Sequence, residues 1–298
     1  MASRIVASDV DPRRVLAQLG YAEISEPVPV TGGWETLLWH FSTPDGAEHA
    51  LRIYCLENAE HSARRERIAT ETCAAAGIAT PRVETSGTYE GMPAIVQTWC
   101  PGTPLMTLLE RRPWQIMQLG RRFGEMHARL HALRAPTEIV ETAPLDWLSR
   151  VLPEHQHIAE QLAPTTATGT LIHLDYHPLN VILDGPRAAV IDWSYSAAGD
   201  IRADLAVTAI TFESAPVPPG PMRPLLDVMR KLALRAWRSG YERAAGPMPD
   251  DRPYRAWACA MMLRGTIETM GRPGVWATEK DLAILRDRIA RWSAGNAG

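Results

Sequence analysis

Residues 170–193 read TLIHLDYHPLNVILDGPRAAVIDW, and they interrupt a part of the chain that is otherwise patterned as helix. Three short apolar runs, LIHL, NVIL and AAVIDW, have the length and β-branched content of buried strands. DGPR separates the last two and is a strong turn signal. A tight hairpin that sets Asp184 opposite Arg187 places Asn180 opposite Ile191 and beside Asp192. Pro178 keeps the preceding loop from becoming helix, so Asp175 stays one short loop upstream. The spacing therefore predicts that Asp175, Asn180 and Asp192 gather at one end of a small sheet. Two carboxylates and an amide oxygen are hard donors suited to Mg2+, with room for phosphate oxygens as the remaining ligands.

At 298 residues the chain is long enough for one large or two modest domains. Its patterning favours two, because it changes near residue 100. Residues 27–55 read as strands: PVPVTGG, then TLLWHFS, a PDG turn and HALRIYC. From Ser62 to Gly77 the pattern is helical, with Ile68, Thr72 and Ala75 at helical spacing and Gly77 as the stop. PAIVQTWCPG reads as a further strand running into a loop. From Trp114 onward helices dominate: Leu119, Phe123, Met126, Leu130 and Leu133 fall on one face, as an amphipathic helix on a core requires. MRPLLDVMRKLALRAWRSGYERAAG and RAWACAMMLRGTIETM look similar. The expectation is an α+β chain of two lobes, residues 1–98 β-rich with one main helix and residues 99–298 larger and mainly helical.

The 34 acidic and 31 basic residues supply no phosphate-neutralising surface, so nucleic acid is not expected as a partner. MASRIVASDVDPRR lacks the apolar core of a secretory signal, and no stretch approaches the roughly 18 apolar residues that span a bilayer. A cytoplasmic protein without a membrane partner is expected. Cys55, Cys73, Cys100 and Cys259 form no CxxC pair, which argues against a zinc site and against disulfides; each reads as a small buried apolar residue.

HLDYHPLN followed by VIDW resembles the catalytic loop and metal-binding aspartate of the aminoglycoside phosphotransferase family, relatives of protein kinases with the same H-x-D-x-x-x-x-N order. The resemblance covers roughly residues 28–210 and implies a two-lobed, protein-kinase-like fold, nucleotide-binding in the first lobe and catalytic and substrate-binding in the second. It implies that Asp175 accepts the proton of the substrate hydroxyl, that His173 braces the loop, and that Asn180 and Asp192 hold Mg2+ on the phosphates of ATP. GDIRADLA is similar to the segment after the metal aspartate, where Asp200 and Asp204 read as scaffold that hydrogen-bonds backbone. In RRERIATETCAAAGIATPRV, Glu66 is the counterpart of the glutamate that pairs with the basic residue of the third strand. That residue is Arg52, where protein kinases have lysine; its planar fork still suits the α and β phosphates. TGGWETL lacks G-x-G-x-x-G, yet Gly32 and Gly33 let backbone N–H groups approach phosphate. AIVQTWCPGTPL resembles the strand and hinge that join the lobes, so backbone groups of Thr98 and Cys100 would meet adenine.

The function so implied is ATP-dependent transfer of the γ-phosphate to a hydroxyl of a small molecule, an aminoglycoside-like antibiotic or a related metabolite. Choline- and homoserine-type kinases share these parts. A nucleotide-binding pseudokinase, with Arg52 as the lesion, is the reading from a different class. A protein kinase fits less well, because the seven residues between Asp192 and Asp200 are too few for a regulated activation loop. A cationic acceptor would want acidic residues, and Glu213, Asp250, Asp251 and Glu268 are available. His127 and His131 stand four apart, as metal ligands do, but HARLH is not HExxH and no third ligand suggests itself, so both read as structural. His177 reads as support for the loop, and most tryptophans as core.

Overall fold

The computed structural model describes residues 10–30, 36–55, 59–142, 146–218, 220–272 and 275–295. The chain divides into two compact units, Met1–Gly102 with Ile182–Tyr195, and Thr103–Val181 with Ser196–Gly298.

The first unit opens with α1 (Pro12–Gln18), capped by the Asp11 carboxylate, which accepts the Arg13 N–H. β1 (Val28–Pro29), β2 (Thr36–Ser42), β3 (Glu48–Tyr54), α2 (Ala59–Ala75), β4 (Val83–Tyr89) and β5 (Met92–Thr98) follow. The strands form one antiparallel sheet in the order β1-β2-β3-β5-β4. The predicted hairpin is present, with Thr36 opposite Tyr54 and Ser42 opposite Glu48. Trp39, Phe41, Leu51, Ile53 and Val96 of the sheet and Val15 and Leu16 of α1 bury one another in a single cluster. α2 stops where its glycine foretold. Gly77 takes φ +70, a conformation that a Cβ disfavours, and the N–H groups of Gly77 and Ile78 close on the carbonyls of Ala74 and Cys73.

The second unit runs through β6 (Thr103–Pro104), α3 (Leu105–Arg111), α4 (Ile116–His131), α5 (Thr137–Thr142), α6 (Gln156–Leu162) and β7 (Thr170–Ile172). The hairpin of β8 (Val181–Asp184) and β9 (Arg187–Val190) comes next, and from Ile182 it groups with the first unit, where the Val190 N–H bonds to the Ala79 carbonyl at 3.0 Å. The chain then gives β10 (Ala197–Gly199), α7 (Ile201–Ser214), α8 (Arg223–Ala245), α9 (Arg252–Thr269) and α10 (Glu279–Gly295) to the second unit. β10 pairs antiparallel with β7, Ala197 facing Ile172. The architecture is thus α+β, with a sheet-based first unit and a helical second, as expected.

The apolar stripe on α4 buries Leu119, Phe123, Met126 and Leu130, while Leu133 lies beyond the helix and its carbonyl receives the Leu171 N–H. α7 is buried along Ala203–Ile210 on every side, so it carries no stripe by which its sequence would announce a helix. Five tryptophans, 39, 147, 193, 237 and 257, are buried, whereas Trp114 and Trp276 are exposed. Cys73 and Cys259 are buried as expected; Cys55 and Cys100 are only half-buried, a correction to the expectation for all four. Among the described residues no helix is long and apolar enough to cross a membrane.

The four acids offered for a cationic acceptor are each paired with arginine. The Arg255 guanidinium, itself buried, lies 3.0 Å from Asp251 and 3.1 Å from Glu213, and Arg288 lies 2.6 Å from Glu213, linking α7, α9 and α10. Asp250 pairs with Arg252 and Glu268 with Arg264, both at 2.7 Å. His127 on α4 is fully enclosed; burial, with His131 adding to it, pushes its imidazole down to about 4, so it is neutral at pH 7.

Arg255→Ala should lower unfolding stability by about 3 kcal/mol, because it strands partly buried carboxylates, with the urea midpoint shifted and the m-value unchanged. His127 sets a pH dependence of definite sign. Its folded value lies below the ordinary 6.5, so its stabilisation is present above that pH and is lost as pH falls towards 4, by about 3 kcal/mol in total. Urea midpoints measured across this window should fall for the native protein and lose that component in His127→Gln.

Candidate active site

The catalytic-loop candidate begins where β7 ends. The N–H groups of His173 and Leu174 donate to the two oxygens of Asp204 on α7, at 2.9 and 2.8 Å. Leu174 takes φ +60, left-handed backbone that costs a side chain-bearing residue about 1–2 kcal/mol. Charge-assisted hydrogen bonds from both sides of that peptide to one carboxylate offset the strain. The turn separates buried His173 from Asp175, whose side chain is 38% exposed. The Asp175 N–H reaches His173 Nδ1 at 3.3 Å.

The loop then closes on itself. Met106 donates its N–H to the Pro178 carbonyl, and Asn180 donates its own to the His177 carbonyl. The Asn180 amide nitrogen gives two hydrogen bonds of 3.0 Å, to the Asp175 carbonyl and to Asp175 Oδ2. His177 Nδ1 accepts the Leu179 N–H, and its Nε2 lies 3.4 Å from the same Asp175 oxygen and 3.2 Å from the Asn180 amide nitrogen. Asp175 and Asn180 are therefore brought together, with His177 supporting them as expected. Asp175 Oδ1 and Asn180 Oδ1 receive no protein donor among the described residues.

Asp204 has two further partners, His127 Nε2 at 3.3 Å and His131 Nε2 at 3.2 Å. Burial works to raise its carboxyl, but these hydrogen bonds hold it well below the usual carboxylate range. The three side chains have the spacing of a metal-ligand set, and Asp204 is the third member that the sequence did not suggest. Hydrogen bonding decides against metal. The indole N–H of Trp237 donates to His127 Nδ1 at 3.3 Å, so that nitrogen is unprotonated and Nε2 carries the proton towards Asp204. A ring in that state offers a cation no lone pair on the Asp204 side. Asp200 is scaffold in another way, capping α7 through the Arg202 N–H and receiving the Tyr254 hydroxyl.

In the first unit Arg52, Glu66 and Asp192 meet. Arg52 projects from β3, buried, and each guanidinium nitrogen has its own acceptor: Nε with Thr36 Oγ1 at 3.1 Å, one terminal nitrogen with Glu66 Oε1 at 2.8 Å, the other with Asp192 Oδ1 at 2.7 Å. Glu66 on α2 is wholly buried, and its second oxygen accepts the Trp193 N–H at 3.1 Å. Ser194 Oγ also donates to Asp192 Oδ1, and Asp192 itself is left-handed at φ +62. Burial pushes the Glu66 carboxyl up to about 7, against the pull of Arg52 and with Asp192 adding to it. Burial alone would favour neutral Arg52, but Asp192 and Glu66 hold it charged, above its ordinary range. A lysine would present its three N–H donors from a single nitrogen and not from a planar fork.

Of the remaining expected residues, Thr98 spends its N–H on the Arg82 carbonyl, and Trp99 spends its own on Glu48. The Cys100 backbone makes no hydrogen bond among the described residues, and burial lifts its thiol to about 11, so sulfur chemistry plays no part there. Gly32 and Gly33 lie outside the described residues. Sequence reasoning missed Thr36, Ser194 and the Trp193 N–H as members of the Arg52 set, and missed the histidines as partners of Asp204.

Residues 26–257 match the family described as phosphotransferase enzyme family, APH. Among solved structures, the chain is similar to amicoumacin kinase hAmiN in complex with AMP-PNP, Ca2+ and Ami, at a TM-score of 0.61 and 12% identity, over 97% of this chain and 95% of that one. It is also similar to the ethanolamine kinase Pv091845 of Plasmodium vivax (0.57, 12%, 94% and 86%) and to ADP-bound aminoglycoside phosphotransferase APH(2'')-Ib (0.54, 12%, 94% and 97%). No curated protein sequence matches it. With most of its length inside that family match, a kinase-like α+β fold and a loop of the family's H-x-D-x-x-x-x-N order, the chain belongs to the phosphotransferase enzyme family and is a small-molecule kinase.

Proposed function

We propose that this kinase transfers the γ-phosphate of ATP to a hydroxyl of a small molecule, with Asp175 as the base. The observation that carries the reading is the state of Asp175: one oxygen fixed by Asn180, the other without a protein donor among the described residues, on a side chain that is partly exposed. In the reaction the acceptor oxygen bonds to the γ-phosphorus as the bridge to the β-phosphate breaks. The hydroxyl proton passes to Asp175, and ADP leaves.

Asn180 and Asp192 would each offer an oxygen of the kind a hard cation takes: the Asn180 amide nitrogen is spent on the loop, which leaves its oxygen, and Asp192 is a carboxylate oriented by Arg52 and Ser194. Mg2+, when bound, would neutralise phosphate charge. The amicoumacin kinase was solved with AMP-PNP and Ca2+, which supports nucleotide and divalent-ion use here. Arg52 would orient the α and β phosphates, Glu66 would hold Arg52, and the Cys100 backbone would meet adenine.

The acceptor reading changes with the ion pairs. Because Glu213, Asp250, Asp251 and Glu268 are each neutralised by arginine, they add little attraction for a polycation. This favours a sugar-like or zwitterionic hydroxyl compound over an aminoglycoside or choline. A panel of aminoglycosides, choline, homoserine and simple sugars, scored for phosphorylated product, tests it; sole activity on the cationic members would reverse that preference.

Asp175→Ala should reduce transfer by about 10²–10⁴-fold with ATP affinity nearly unchanged; loss of nucleotide binding in this variant would refute the assignment. Asp192→Ala should instead weaken Mg2+-dependent ATP binding, seen by calorimetry with and without the ion. Saturating ATP and Mg2+ at about 100 times Kd should add about 2.7 kcal/mol to stability. A pseudokinase would show that shift without any turnover.

A further inference from the structure

Helix α8 meets α4 at very short range. A Cβ at Gly124 would fall 2.0 Å from the Trp237 carbonyl oxygen, and one at Gly240 would fall 2.0 Å from that of Arg121. This approach sets Trp237 and Tyr241, one turn apart on α8, against His127 and His131, one turn apart on α4. Trp237 Nε1 lies 3.3 Å from His127 Nδ1, and the Tyr241 hydroxyl lies 2.9 Å from His131 Nδ1. Each imidazole therefore bridges, with Nδ1 towards α8 and Nε2 towards Asp204.

The chemistry of the bridge assigns its protons. Asp204 is an ionised carboxylate and only accepts, so Nε2 of each ring must donate to it. A neutral ring that donates at Nε2 accepts at Nδ1, and there it needs a donor. Trp237 can only donate; Tyr241, able to do either, donates where the His131 ring is neutral. Asp204 then receives four donors, two rings and the N–H groups of His173 and Leu174. Tyr176, stacked on His127, does not compete, because its hydroxyl is spent on the Phe123 carbonyl.

We propose that Trp237 and Tyr241 are positioning residues for phosphoryl transfer: by donating to Nδ1 of His127 and His131 they fix both rings in the Nε2–H form, which completes the donor set through which Asp204 holds the left-handed turn at Leu174 next to Asp175. Without its donor a ring can move the proton to Nδ1 and turn a lone pair towards the buried carboxylate. Asp204 then loses a partner, and the loop loses part of its anchor. The kinetic part rests on Asp175 being the base; the tautomers and the anchor do not.

The test combines 15N NMR of the histidine rings, hydrogen exchange at the Leu174 amide, and steady-state kinetics in the full chain. Wild type should show both rings as Nε2–H. Tyr241→Phe should move His131 towards Nδ1–H, speed exchange at Leu174, and lower kcat roughly five- to tenfold with KM for ATP unchanged, the size expected from one hydrogen bond. In His131→Gln the side-chain amide donates to Asp204 without needing Tyr241, so adding Tyr241→Phe on that background should cost nothing further. A His131 ring that stays Nε2–H in Tyr241→Phe, or an equal loss of kcat on the glutamine background, would overturn the proposal by showing that the hydroxyl acts through packing. If wild type transfers phosphate to no acceptor, the proposed reaction fails, while the tautomers and the exchange rate still decide this inference.

Discussion

The Asp204 carboxylate is the buried charge around which the second unit is arranged. Taking such a group out of water costs several kcal/mol unless donors replace the lost solvation. Here four of them do, from α4 and from the backbone that follows β7. The arrangement converts helix packing into loop geometry, because the same oxygens that satisfy the histidines hold Leu174 in a conformation that it would not adopt alone. Asp175 inherits its placement from that turn, and Asn180 then fixes one of its oxygens.

The first unit has its own ionic centre of opposite sign. Arg52 is held charged by Glu66 and Asp192, with Thr36 taking its third nitrogen. Phosphoryl transfer demands little covalent chemistry of a protein and much positioning and charge balance. Both centres are of that kind: rigid, hydrogen-bonded and built from side chains whose partners leave them few alternative orientations. The arginine at position 52 has its fork used at every nitrogen by a protein acceptor.

The parts of this design that were legible in the sequence are those written locally. Eight residues, HLDYHPLN, place His173, Asp175 and Asn180 within one loop, DGPR gives the hairpin, and the change of period near residue 100 gives the α+β architecture. The rest depends on partners far apart in the chain. Asp204 lies 73 positions from His131, and Arg52 draws on residues 36, 66 and 192. α7 escaped notice because a helix buried on all sides lacks an amphipathic stripe. The acids at 213, 250, 251 and 268 looked available because side-chain pairing is invisible in composition, although Arg255 and Arg264 stand at the i,i+4 spacing from Asp251 and Glu268 that favours such pairs.

The interleaving of the two units along the chain bears on synthesis. Arg52 and Glu66 leave the ribosome ahead of Asp192 and the Trp193 N–H that complete their set, which belong to Ile182–Tyr195 and follow the whole Thr103–Val181 part of a different unit. At roughly 5–20 residues per second, the amino-terminal sheet waits on the order of ten seconds with its ionic centre incomplete. A nascent fragment ending at Gly102 thus has to keep two charged side chains hydrated that the finished protein encloses, and vectorial folding of the first unit cannot finish before translation has passed the hairpin.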